Sequence, residues 1–305
     1  MRNITRTGYG AQLQTALFLG LNHDIPAYSG VADYVGKPDI FPQPAPTTLG
    51  MEVFEPYSAA QDTRDLKMTC YCIGNGAHQN VSGPGPDVTL TRPHRATDAG
   101  PFNMIPFAMK QIWPVNNDFT ALERANYRIR KTLMKDGILY AAYFAKPLNL
   151  TGVTPDLMYA TSVDGNTVAV PFVPTSTDLW PAPTTPGAVS GGTTISVTAA
   201  SQILFTPADV VLLREACEIL YGTADYAIIS EIGFLTGKDK EVTAAYPTSG
   251  TQTAAAVPAD TYFELCGAQI AAHYSTYRSV VYDNLGFTIS YDLGTGEALY
   301  GAQLS

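Results

Sequence analysis

Histidine is the commonest general base near neutral pH, and four are present: His23, His78, His94 and His273. None stands in a nucleophile motif, and no Gly-x-Ser-x-Gly elbow occurs. His273 falls near the end of an expected helix, where an imidazole ordinarily meets terminal carbonyls. Cys70, Cys72 and His78 are soft or borderline metal ligands within a short span. Zinc sites, however, pair one Cys-x-x-Cys-like step with a second downstream, and this set lacks that spacing and a fourth ligand. The expected state of Cys70, Cys72, Cys217 and Cys266 is therefore free, half-buried thiols, with no metal and no cofactor. The Gly233–Gly237-Lys238 stretch does not have the spacing of a phosphate loop. Paired carboxylates could hydrolyse glycosides; Asp209, Glu215, Glu218, Glu231 and Glu264 are available. Glu231 stands out because it interrupts the apolar run 226–235. A buried acid is usually paired, and its expected partner is an arginine at a subunit boundary. No catalytic set assembles from these residues, so the chain reads as a non-enzyme.

The bulk composition points to a subunit that hides surface against neighbours. Apolar residues make up 46% and charged residues 15% of 305 positions, against about a quarter charged in ordinary soluble chains. There are 18 tyrosines, and Tyr is favoured at subunit contacts because a large ring is buried while its hydroxyl stays polar. A net charge of −9 disfavours sequence-specific nucleic-acid binding and adsorption to anionic lipid. The densest basic stretch, Arg124, Arg128, Arg130, Lys131 and Lys135, reads as a solvated strand face or as partner salt bridges. Residues 1–20 lack the apolar core of a signal peptide, and no run approaches a membrane helix, so synthesis in a cytosol is expected.

The elements that would carry these residues fall into an α+β chain. It has a β-rich, sandwich-like or barrel-like region with hairpins, a small α/β layer and an extended N-terminal arm. Residues 1–47 form the arm, ending in the proline-dense stretch 38–46, which favours extended chain. Residues 48–175 form the β-rich domain. Within it, Leu66, Met68, Cys70 and Cys72 alternate with Lys67, Thr69 and Tyr71 at the strand period. Thr120 and Glu123 have capping-box spacing for a short helix. Asp136-Gly137 between two strand-like runs is a hairpin signal, and a second hairpin is expected around 164–166. Residues 176–200 read as a Pro/Gly linker or loop. Residues 201–305 read as an α/β region. Its clearest helix has Thr206 as cap, Pro207 at the first turn, Val210, Leu213, Cys217 and Leu220 on one face, and Gly222 at the stop. A flexible stretch at 237–257, a second helix from about Pro258 to Tyr274 and a final strand containing Phe287, Ile289 and Tyr291 complete the expectation.

Some segments resemble a known class. They are Asn103-Met104-Ile105-Pro106-Phe107, Asn117-Asp118, Glu123-Arg124-Ala125-Asn126-Tyr127-Arg128-Ile129-Arg130 and Tyr140-Ala141-Ala142-Tyr143-Phe144-Ala145-Lys146. With Leu212-Leu213-Arg214-Glu215-Ala216-Cys217 through Tyr221-Gly222, Tyr226-Ala227-Ile228-Ile229-Ser230-Glu231-Ile232 and Ala268 to His273, they are similar in texture to virion structural proteins of tailed bacteriophages. The resemblance implies a homo-oligomeric ring of the neck, head-to-tail connector or tail. Such a ring would be built in the host cytoplasm and carried in the virion, with portal, tail or capsid subunits as partners. It also implies a lumen through which DNA could pass without being recognised by sequence, and no membrane partner. A capsid or decoration protein is the alternative within that class. A glycan-binding or glycan-cleaving tail-fibre module is the alternative outside it, weakened because Trp113 and Trp180 each sit beside a proline. A β-rich domain with an unidentified ligand is a further alternative. The expected interface residues are Tyr9, Tyr28 and Phe41 on the arm, Arg124, Arg128 and Arg130 in the basic stretch, and Glu231.

Overall fold

The computed structural model describes residues 4–6, 10–11, 13–14, 17, 22–23, 61–62, 67–83, 85, 87–163, 166–173, 193–247, 254–282 and 285–298. The expected interface residues Tyr9, Tyr28 and Phe41, and the linker stretch from 176 to 192, lie outside the described residues. In chain order the first strands are β1 (Ile4–Arg6), β2 (Asn22–His23), β3 (Gln61–Asp62), β4 (Met68–Gly74), β5 (His78–Val81) and β6 (Val88–Thr91). Then come β7 (Met104–Ile105), β8 (Ala108–Trp113), helix α1 (Ala121–Arg124), β9 (Ile129–Lys135), β10 (Ile138–Pro147), β11 (Asp156–Val163) and β12 (Asn166–Pro171). The chain continues through β13 (Thr193–Phe205), helix α2 (Pro207–Tyr221), β14 (Ile228–Pro247), β15 (Ala254–Ser279) and β16 (Phe287–Ala298). Antiparallel sheets dominate and helices are few, so the chain is α+β and β-rich, with hairpins.

Contacts divide the chain into two units, Met1–Leu148 with Leu204–Phe287, and Asn149–Ile203 with Thr288–Ser305. The divisions fall at 148/149, 203/204 and 287/288, rather than at the Pro/Gly stretch. The physical reason is that β14 and β15 pair back into the sheet begun by the N-terminal half.

The larger unit is built on one sheet in the order β1-β15-β14-β4-β10-β8, with β7 against β4 and β9 against β10. β1 pairs with β15 through Ile4 and Tyr274, so the described start of the arm is an edge strand of the chain's own sheet. β4 lies inside the sheet, and from Cys70 to Gly74 it is buried on both faces, Tyr71 included. The one-sided alternation expected there is replaced by a strand covered on both sides. Cys70, Cys72, Leu235 and Ile270 share a core with Ala216 and Leu220 of α2. Thr206 and Asp209 form a reciprocal capping box, Pro207 opens α2, and Gly222 ends it in the left-handed region at φ 79°. Val210, Leu213, Cys217 and Leu220 are all buried, as their spacing predicts.

The β9–β10 hairpin turns on Asp136 and Gly137 at φ 51° and 79°, the left-handed pair that a tight turn of this twist requires. The helix expected over 258–274 is instead the middle of β15, and the flexible stretch expected from 237 is strand as far as Pro247. Pairing of β14 with β15 from Ile228↔Ser279 to Pro247↔Ala254 satisfies the backbone of both segments and overrides local helix signals. The smaller unit carries a four-stranded sheet, β12-β11-β13-β16. Its β11–β12 hairpin pairs Val163 with Asn166, as expected, and Ile289 and Tyr291 of β16 are buried on alternate positions.

Candidate functional site

The cluster with the right residue types for chemistry forms around Glu231 on β14. Gly74 of β4 pairs with it, and a Cβ there would lie 2.5 Å from both Asn103 O and Glu231 Oε1. Only glycine leaves the carboxylate room. Glu231 Oε1 accepts from the backbone N–H of Gly76 at 3.0 Å and Asn103 at 2.9 Å. Its Oε2 accepts from the N–H of Phe102 at 2.8 Å and from His94 Nε2 at 2.9 Å. The His94 ring is stacked between Phe102, with centroids 4.2 Å apart, and His273, at 3.8 Å. On its other side Nδ1 lies 3.5 Å from Asp98 Oδ2. His273 Nε2 donates to the backbone carbonyl of Asp98 at 3.0 Å, which sets its tautomer because a carbonyl only accepts. Neighbouring bonds continue the pattern: Ser230 Oγ accepts from Ala77 N, and Ser275 Oγ donates to Arg92 O.

A histidine between two carboxylates is the kind of group that moves protons in catalysis. Here the side chains of His94 and Glu231 are both 0% exposed, and each oxygen of Glu231 already accepts two hydrogen bonds from its own chain. What the cluster can do is clamp. One carboxylate on a central strand gathers the backbone of 76 and 102–103 and the imidazole of residue 94, tying two connecting segments to β14. Burial, with His94 beside it, holds His273 down from 6.5 to about 4. An unfolded chain takes up that proton near pH 6.5 and the folded chain only near 4, so stability is full above about pH 6.5 and falls through that window. The expected loss from His273 alone is on the order of 3 kcal/mol by pH 4. Thermal melts against pH should show it, with a flatter dependence for His273→Gln; equal slopes in the two proteins would remove His273 as the cause.

A second buried polar group lies between α1 and the β9–β10 hairpin. Asp118 Oδ2 accepts from Arg130 Nη2 at 2.8 Å and lies 3.7 Å from Arg124 Nη1, while Oδ1 accepts from the Tyr143 hydroxyl at 2.5 Å. Arg124 also donates to Phe119 O. The rings of Phe119, Tyr127 and Tyr143 close around the group, and burial raises the phenols of Tyr127 and Tyr143 far above their usual range.

These placements correct the expected interface set. Arg124 and Arg130 are 1% and 5% exposed and face Asp118 of their own chain, so they form no solvated face. Glu231 pairs with His94 and three backbone amides rather than with an arginine at a boundary. Among the described members Arg128 is the one near the surface, bound to Asp239. His273 sits in β15, so its carbonyl partner is Asp98 rather than a helix terminus. Cys70, Cys72 and Cys217 are free but fully buried, and burial pushes the Cys70 thiol up to about 11 and Cys217 to about 12. Both are therefore poor nucleophiles. Among the described residues no group of three or more His, Cys, Asp or Glu side chains is set to hold a metal. Sequence reading missed His94, Asp98 and Asp118 as site members. No local signal marks them, since His94 and Glu231 are 137 residues apart.

No helix among the described residues is long and apolar enough to cross a membrane. Residues 40–305 match the family of unknown function DUF7208, which covers most of the chain, and the chain belongs to that family. No curated protein matches, and no solved structure matches.

Proposed function

We propose that this member of the DUF7208 family is a non-catalytic structural subunit of a tailed-bacteriophage virion, assembling as a homo-oligomeric ring in the neck, connector or tail. The observation that carries the reading is exposed apolar surface on strands with open edges. Among the described residues β5 and β6 form a sheet of two strands. In it Val81 faces Val88, Leu90 lies two residues along the same face, and the three are 40%, 52% and 51% exposed. In the smaller unit, β12 ends its sheet, and Val168 and Val170 on one face are 51% and 49% exposed. Open strand edges with apolar stripes are normally covered or blunted, and a lone two-stranded ribbon is marginal by itself. A neighbouring subunit supplies that cover. The Glu231 cluster of the larger unit agrees with this role, because it ties down the segments that flank β5 and β6.

The mass of the purified protein in solution, by light scattering, with negative-stain microscopy, tests the reading. The expected result is a particle several times the 32.6 kDa subunit, ring-shaped in projection. The pair Val88→Lys and Leu90→Lys should reduce it towards the monomer while leaving circular dichroism unchanged. A wild-type protein that stays at the monomer mass at every concentration overturns the proposal.

A further inference from the structure

The connection between β6 and β7, residues 92–103, is fastened to the sheet by polar groups rather than by strand pairing. Arg92 N donates to Ala77 O at 2.8 Å, which closes the root of the β5–β6 ribbon. Ala77 N in turn donates to Ser230 Oγ on β14, and Ser275 Oγ on β15 donates to Arg92 O. At the far end, Phe102 and Asn103 give their N–H groups to Glu231, and Asn103 O accepts from Asn75 N. Between these fastenings stands a short turn, in which Arg95 N donates to Asp98 Oδ2 at 2.8 Å and Asp98 N to Arg95 O at 3.0 Å. The Asp98 side chain is 24% exposed, so the turn borders solvent.

Beneath that turn lies His273. It is held in place by β15, paired with Thr5 on one side and Gly233 on the other, neither of which carries charge. The groups that face its ring are His94 and Asp98 from the connection and Glu231 from β14. The His94 and His273 planes are 9° from parallel, and Asp98 O accepts from His273 Nε2. The connection is therefore what covers His273, and among the described residues no group hydrogen-bonds its buried Nδ1. A proton placed there meets no acceptor while the cover is on. We infer that residues 92–103 are an acid-operated latch: when His273 takes up a proton the turn lifts from β15, and the root of the ribbon comes free of β14 and β15. Covered, the ring titrates near pH 4; uncovered, it returns to about 6.5. Opening is therefore favoured about tenfold at pH 5.5, and about thirtyfold at pH 5, relative to pH 7.5. The inference rests on the assembly reading only for its consequence. Val81, Val88 and Leu90 lie on the ribbon, so a subunit with an open latch holds its neighbour by a loosened strand pair, and subunits exchange faster by the same factor.

Amide hydrogen exchange read by mass spectrometry, corrected for its intrinsic pH dependence, tests the latch. Between about pH 7.5 and 5.5, above the isoelectric point near 4.8, peptides covering 92–103 should exchange about tenfold faster while those of α2 keep their rates. His273→Gln keeps a donor for Asp98 O and loses the titration, so its peptides should show no such rise. His78, packed edge-on against Tyr277 with ring centroids 5.5 Å apart, is the histidine of the ribbon itself, and His78→Gln should keep the wild-type rise. Peptides of 92–103 whose protection ignores pH overturn the latch. So does a rise shared equally with α2, since the opening is then global; this arm needs the wild type alone. An undiminished rise in His273→Gln, or its loss in His78→Gln, overturns the assignment to His273. Mixing isotopically labelled and unlabelled particles tests the consequence by native mass spectrometry. Subunit exchange about tenfold faster at pH 5.5 is expected, and equal rates at the two pH values overturn the link between latch and assembly. A wild type that is monomeric at every concentration sinks the assembly reading itself, and the amide measurement still decides the latch.

Discussion

Glu231→Ala is expected to cost about 3–5 kcal/mol of unfolding free energy, a large share of what a domain ordinarily has. The alanine removes the acceptor for the N–H groups of Gly76, Phe102 and Asn103, which are partly buried, and for His94 Nε2, which is fully buried. Buried donors without acceptors keep their desolvation cost and lose what offset it. Glu231→Gln should fall between, because its oxygen can serve one pair of donors while its amide group faces the other pair. Chemical denaturation read by circular dichroism measures both, and a Glu231→Ala loss under about 1 kcal/mol would show that the clamp is dispensable. Since segments 76–77 and 102–103 lead into β5 and β7, the same variant should also raise hydrogen exchange there before global unfolding.

Asp118→Ala is expected to be comparably severe, about 3–5 kcal/mol, because it leaves two buried guanidinium groups without their shared counter-charge. Arg130 loses its 2.8 Å partner, Arg124 its 3.7 Å neighbour, and the Tyr143 hydroxyl its acceptor. Tyr143→Phe removes only the hydroxyl and keeps the ring packed against Phe119 and Tyr127, so about 1 kcal/mol is expected. Equilibrium unfolding of the two variants separates the contributions. An Asp118→Ala protein as stable as Tyr143→Phe would mean that the arginines find other acceptors, and the ion group would lose its assigned weight.

The elements legible in the sequence were those whose signal is local. Thr120 with Glu123 and Thr206 with Asp209 form capping boxes, and Asp136-Gly137 makes its turn, because a cap or a tight turn is settled within a few residues. The alternation of Phe287, Ile289 and Tyr291 read correctly because β16 buries one face. β15 did not. Ala268, Gln269, Ile270, Ala272 and His273 are all buried, so both faces are covered and the period-two pattern vanishes. What remained was a Pro-Ala-Asp start that mimics a helix cap. Composition and the interrupted run 226–235 marked Glu231 as unusual, yet neither could name its partner. His94, Asp98 and Phe102 arrive from the connection between β6 and β7 and His273 from β15, brought together by antiparallel pairing of β14 with β4 and β15. A carboxylate costs too much to bury alone, so the sequence alone required a partner for Glu231. Which groups surround it was decided by sheet register, a property of pairings between distant strands that no single segment contains.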